Sequence, residues 1–287
     1  MRKMGSLRVI QFICFFISVG YAMSCSHVPK AAQGSPESSQ TINASTVQGS
    51  YPLESRYTYH EFDMICLYYK TDDLDRYRQL LPQQFNMPAE PLVFLFFADY
   101  YKMDRATEPY LESAVFLLVE YKGALAWHCV TMPVTSNEAR IGGIYYLGYP
   151  KIMGDITFQR GLYRYAGILK LKGETVLSVV LNTRNHEITA EEKEVFERLK
   201  GLPSLTIRNG VVFQPRFGDL NNRYNLLQLS NMFPEKLEIG VGKADLHMDT
   251  RAASAFSERL GSIFGIRPSE TILAYYLKNK FVMRFKN

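Results

Sequence analysis

The sequence predicts an α+β fold built mainly from antiparallel strands: a large twisted sheet system, or a barrel-like double sheet, with a few short peripheral helices. Three observations predict it. Apolar and aromatic runs recur along the chain, and they are too rich in β-formers to be surface helices. Turn signals containing Gly separate consecutive runs, which is the pattern of sequential hairpins. Three segments carry helical spacing, too few to supply the crossovers of a doubly wound parallel sheet.

The amino end stands apart from this pattern. Arg2, Lys3 and Arg8 precede an apolar run from Val9 to Met23, shorter than the roughly 18 residues a membrane span needs. Basic residues ahead of a short apolar core read as a secretory leader, residues 1–24. The leader ends in "YAMSCSHVPK", where a small residue precedes Cys25 and a polar tether follows, as at the processing site of a bacterial lipoprotein. The expectation is an exported protein held to a cell-envelope membrane by lipid on Cys25. Plain cleavage, giving a periplasmic or secreted protein, and an uncleaved anchor both stay open. Residues 25–50 are rich in Ser, Gln, Ala, Pro and Gly and read as a flexible spacer.

Residues 51–287 are expected to form one domain, with no internal repeat and no clean linker. "DDLDRYRQLLP" opens on Asp, spaces Leu and Tyr helically and stops at Pro82. "PLVFLFFADYYKM" reads as a buried strand, and "SAVFLLVEYKGALAWHCVTMPV" as two strands around Lys122-Gly123. "DITFQRGLYRYAGILKLKGETVLSVVLNTR" reads as a meander with turns near Gly161 and at Lys172-Gly173. "TAEEKEVFERLK" and "RAASAFSERLG" are expected to be one helix each, and "ETILAYYLKNKFVMRF" a final strand.

Charge and composition exclude several functions. The chain carries +5, but residues 1–24 hold three basic and no acidic residues, so the part beyond them carries +2. Nucleic-acid binding loses its compositional support at that charge. The terminal cluster Lys278, Lys280, Arg284 and Lys286 reads instead as a solvated strand face or a lysine-protected edge. No phosphate loop, dinucleotide fingerprint or Gly-x-Ser-x-Gly elbow is present, and no spaced Cys/His set suggests a metal. His128 and Cys129 are adjacent on a strand and point to opposite faces. Cys66 and Cys129 remain as a pair whose bridging the spacing leaves open.

The stretch "GGIYYLGYPKIMGD" is different, because it places Lys151 after Pro150 between apolar and aromatic runs. Lysine is among the residues least often buried, so Lys151 is either a solvated turn residue or a reactive amine. Ile144, Tyr145, Tyr146, Leu147, Tyr149, Ile152 and Met153 surround it in sequence and are expected to form a dry wall. Dryness matters because only a neutral amine attacks a carbonyl. An ordinary lysine is neutral in about one molecule in 2,500 at pH 7, and bringing its pKa close to neutrality corresponds to roughly 5 kcal/mol. Desolvation or a neighbouring cation can supply that.

Most of residues 56–287 resembles the acetoacetate decarboxylase family, at low identity. The segments that carry the resemblance are "YYKTDDLDRYRQLLPQQF", "EPLVFLFF", "YLESAVFLLVEYKGALAWHCVTM" and "SNEARIGGIYYLGYPK". In that family a Gly-x-Pro-Lys segment carries a lysine that forms a Schiff base with the substrate ketone. The resemblance implies this role for Lys151, and implies that Glu112, 39 positions earlier, orients the substrate or moves protons. Tyr149, Gly148, Ile152 and Phe96 are then expected to border the substrate pocket. Ile152 stands where the family commonly has a second lysine, Phe96 near a second glutamate, and Phe62 at the position of an arginine. The implied ligand is a small keto acid or other carbonyl compound, with no cofactor and no metal. Non-catalytic binding of such a ligand, a protein-contacting lipoprotein, and homo-oligomerisation stay open.

Overall fold

The computed structural model describes residues 54–104, 108–213, 225–230 and 240–286. The expected leader and spacer, with Cys25, lie outside the described residues, all of which fall in one compact unit, Ser50–Asn287.

The chain is strand-dominated and forms two sheets, and the larger is open rather than a closed barrel. Strand β1 (Glu54–Lys70) is followed by helix α1 (Leu74–Leu80), then by the meander β2 (Leu92–Asp104), β3 (Tyr110–Tyr121) and β4 (Ala124–Val134). Lys122 and Gly123 turn β3 into β4 with φ of 53° and 77°, the left-handed pair that a two-residue hairpin requires. After α2 (Asn137–Gly142) comes the short β5 (Lys151–Met153). The second sheet begins with β6 (Asp155–Arg160), β7 (Arg164–Leu171) and β8 (Glu174–Asn182). Helix α3 (Ala190–Leu199) leads to β9 (Ser204–Arg208) and β10 (Val211–Phe213). Its N-terminus closes with a capping box, in which Thr189 and Glu192 each satisfy the other's backbone N–H. Then come β11 (Asn225–Ser230), β12 (Gly240–Val241), β13 (Lys243–Met248), helices α4 (Thr250–Phe256) and α5 (Glu258–Ile263), and β14 (Glu270–Lys286).

The large sheet runs β10-β9-β4-β3-β2-β1-β14-β11, with β12 added to β14 and β5 to β4; the small one runs β13-β8-β7-β6. Pairing is antiparallel except where β4 meets β5 and β9. Alternation along the strands sorts side chains into two interiors. On β1, Ile65, Leu67 and Tyr69 join Val93, Leu95 and Phe97 of β2 in the layer between the sheets. Cys66 and Tyr68 point the other way, into an aromatic interior with Phe94, Phe96, Phe116, Trp127 and Tyr275, covered by Phe196 and Leu199 of α3. Arg160 of the small sheet binds Asp63 and Asp99 of the large one, the second at 2.5 Å. That ion bridge fixes one sheet on the other at the edge of their shared core.

One expectation is corrected, and two questions left open by the sequence are decided. "RAASAFSERLG" makes two helices, because Ser257 is extended (φ −163°, ψ 136°) and its hydroxyl caps α5 at Leu260 N–H. β14 is no edge, since β1 lies on one side and β11 and β12 on the other; Lys278 pairs with Glu61 at 3.2 Å instead. Cys66 and Cys129 are free and buried. They sit on β1 and β4 with β2 and β3 between them, and three strand spacings of about 4.8 Å exceed the reach of a disulfide.

His128, on β4, is buried with its ring 4.9 Å from that of Phe85. Its Nδ1–H donates to the Leu205 carbonyl at 3.1 Å, and burial pushes its pKa down to about 4. A histidine neutral in the fold and protonatable at about 6.5 when unfolded stabilises the protein above the unfolded value and loses that contribution as pH falls toward 4. The loss is expected to approach about 3 kcal/mol. Urea unfolding of wild type and His128→Asn across pH 7 to 4 checks it: the variant should lack this part of the acid sensitivity.

Candidate active site

The connection from β4 to β5 builds the site. Ser136 ends the extended chain and caps α2, its hydroxyl accepting from Ala139 N–H at 3.3 Å. After one turn the helix widens into a π-helical turn, Gly143–Leu147, a local geometry frequent at functional sites. Gly148 stops it at φ 70°, ψ 19°, where a side chain would be strained. A Cβ there would also stand 2.9 Å from Thr206 Oγ1 of β9. Tyr149 and Pro150 then bring the chain back alongside β4, with Lys151 opposite Met132.

Lys151 consequently points into the aromatic interior. Its side chain is 6% exposed and its Nζ donates to Glu112 Oε2, on an equally buried side chain. The amine also lies 5.8 Å from the ring centroid of Tyr110. Glu112 reaches the same place from β3, two residues after Tyr110 and therefore on the same face. The lysine stem crosses Gly143 so closely that a Cβ on that glycine would overlap Cδ and Cε. Cys129 shares this interior, and its thiol is held protonated by burial first and by the Glu112 carboxylate second. Met132 and Phe116 complete the surroundings.

The residues expected at the site divide accordingly. Tyr149 packs on the same interior, its ring centroid 6.3 Å from that of Phe116 in an edge-on arrangement and its hydroxyl 3.3 Å from Ser204 Oγ. Phe96 lies on the Glu112 face, paired with Ala114, its ring 6.0 Å from Phe116. Gly148 lies against β9, where an added Cβ would meet Thr206 and Arg208. Ile152 was expected beside Lys151, but strand alternation turns it into the other core, between the sheets. The wall of sequence neighbours is corrected in part: Tyr149 packs on this interior, but Tyr145 is 66% and Met153 43% exposed. Much of the dryness comes from residues on β2, β3 and β4.

Tyr110 and Gly143 were not singled out from the sequence, and Cys129 was weighed only as a metal ligand or a disulfide partner. Tyr110 could have been found from its i, i+2 spacing to Glu112. Gly143 gave no such signal, since its importance depends on a side chain arriving eight residues later.

The sequence model of the acetoacetate decarboxylase family matches residues 41–281. An acetoacetate decarboxylase of Burkholderia mallei is 26% identical over 147 residues, 50% of this chain and 57% of that protein. The chain thus matches little more than half the length of these curated relatives. Among solved structures, acetoacetate decarboxylase from Legionella pneumophila superposes with a TM-score of 0.58 at 16% identity, covering 81% of this chain and 85% of that one. The enduracididine biosynthesis enzyme MppR, complexed with the condensation product of pyruvate and imidazole 4-carboxaldehyde, gives 0.55 at 14% identity, covering 88% and 97%. At such identities these superpositions speak for the fold. With the family model matching most of its length, the chain belongs to the acetoacetate decarboxylase family.

Proposed function

We propose that this protein is a carbon–carbon lyase in which Lys151 forms a Schiff base with a small keto acid. The observation that carries the reading is the buried contact between Lys151 Nζ and the Glu112 carboxylate. A lysine in this position is kept from bulk water and has one carboxylate with which to exchange a proton. The neutral amine adds to the substrate ketone, and loss of water leaves a protonated imine. That cation withdraws electrons from the bond between the α-carbon and the carboxylate. The bond breaks, carbon dioxide leaves, and the electron pair becomes an enamine. Protonation of the enamine carbon and hydrolysis of the imine release the ketone and restore the amine. Glu112 serves the proton transfers to and from nitrogen. Family membership supports this chemistry. MppR, similar in fold and complexed with a condensation product of pyruvate, supports a keto acid as the ligand class.

The test is reduction with borohydride in the presence of a panel of β-keto acids and ketones, followed by mass analysis. Wild type should gain the mass of the reduced adduct on Lys151, and Lys151→Ala should gain none. No adduct on the wild type, or equal labelling of the variant, overturns the proposal. Saturable binding that persists in Lys151→Ala without any adduct would favour a non-catalytic ligand carrier.

A further inference from the structure

The interior face that carries Lys151 also carries three polar groups that take no part in the lysine–glutamate pair. Cys66 and Tyr68 project from β1, and Tyr275 stands on β14 directly opposite Cys66. Tyr68 is 1% exposed and Tyr275 0%, yet neither hydroxyl has a hydrogen-bond partner. The two phenols and the Cys66 thiol lie close enough for weak mutual hydrogen bonding, but no well-formed hydrogen bond satisfies either hydroxyl. Burial holds both phenols in the protonated form, so each offers an O–H donor. A buried hydroxyl without a partner is costly, and phenylalanine would fill the same space without that cost. Two such groups side by side call for an acceptor.

A path of rings leads from them to Tyr149, two residues before Lys151. Tyr149 meets Phe116 at 6.3 Å, Phe116 meets Phe94 at 5.7 Å, Phe94 meets Tyr68 at 4.6 Å, and Tyr68 meets Tyr275 at 6.2 Å. Strand register places Tyr275, Cys66, Phe96 and Ala114 in one row, with Glu112 on the same face two residues beyond Ala114. Three strand spacings separate β14 from β3, roughly 14 Å of backbone. Glu112 stands on the β3 end of that span and Tyr275 on the β14 end, while Lys151 reaches Glu112 from β5, on the far side of β4.

We propose that Tyr68 and Tyr275 form a distal subsite for the ligand of Lys151, and that this ligand is an apolar carbonyl compound with a second, neutral keto oxygen. This rests on the reading of Lys151 as an imine-forming amine. Two phenol donors suit one keto oxygen, which has two lone pairs. A carboxylate there would sit among the rings of Tyr68, Phe94 and Tyr275, where burying its charge is costly. An apolar chain between the two oxygens would lie over Phe94 and Phe116. The substrate class is then a keto acid extended by an apolar chain that ends in a second ketone.

The experiment compares borohydride trapping of wild type and of Tyr68→Phe/Tyr275→Phe with two eight-carbon probes, a methyl ketone and the matching bis(methyl ketone). Wild type should reach half-maximal labelling at about tenfold lower concentration of the diketone, well above the twofold that two reactive ends give by statistics, equivalent to about 1.4 kcal/mol. In the double variant that ratio should fall to about two, with labelling by the monoketone unchanged. A wild-type ratio near two, or a ratio unaltered by the substitutions, overturns the inference and leaves the hydroxyls to a buried water only, while the imine reading stands. Absence of labelling by either probe removes both. Phenylalanine is isosteric, so an unchanged melting temperature shows that the comparison is made between folded proteins.

Discussion

Removing either member of the Lys151–Glu112 pair alone is expected to destabilise the protein by about 3–5 kcal/mol, and removing both by far less. Each side chain is only 6% exposed, so neither can turn to water when its partner is gone. Glu112→Leu leaves an ammonium group facing Tyr110 and Met132, and Lys151→Met leaves a carboxylate beside Cys129. Lys151→Met/Glu112→Leu together replaces both charges by apolar groups of similar volume in an apolar interior, a change that is often nearly neutral. Urea unfolding of the four proteins measures the coupling directly. Additive effects would contradict the buried pair. The double variant is expected to be folded and wholly inert to borohydride trapping, which separates the pair's part in stability from its part in chemistry.

Gly143→Ala is expected to lower the trapping rate by about 100-fold and to cost stability as well, because displacing the amine weakens the buried pair by more than the backbone gains. The backbone at Gly143 is helical (φ −65°, ψ −36°), so alanine is conformationally welcome there and gains roughly 0.5–1 kcal/mol over glycine. Its methyl, however, would occupy the space of the lysine Cδ and Cε. The flexible stem must move, and the amine leaves its place against Glu112. Displacements of about 1 Å in a reacting group cost on the order of 100-fold. Thermal melting and trapping kinetics on the same sample check both halves, and unchanged kinetics would show that the stem does not depend on the glycine.

What could be read from the sequence follows a physical line. Hairpins at Lys122-Gly123 and Lys172-Gly173 were legible because the turn chemistry lies in adjacent residues. Lys151 and Glu112 were legible through a family motif and its spacing, and their contact is one that the register of β3, β4 and β5 creates. The walls were legible only in part. Tyr145 and Met153 adjoin Lys151 in sequence yet face water, because neighbours along a strand or turn diverge while neighbours across strands converge. The break at Ser257 was hidden for a similar reason: helical spacing continues through it, and only the local hydroxyl cap betrays a new start. The unmet phenols of Tyr68 and Tyr275 were indistinguishable from ordinary core aromatics until their partners could be counted.

The lysine and its carboxylate are joined by consecutive elements, β3, β4, α2 and β5, whereas β1 finds β14 only after nearly the whole described chain has been made. Closing the short loop costs less chain entropy than closing the long one, and local contacts form sooner than distant ones. The order of assembly that follows puts the charge pair together while its surroundings are still wet. Docking of β14, with Leu273, Tyr275 and Leu277, then completes the apolar interior to which that contact belongs. Two opposite charges that meet in water and are sealed afterwards never have to enter the interior separately.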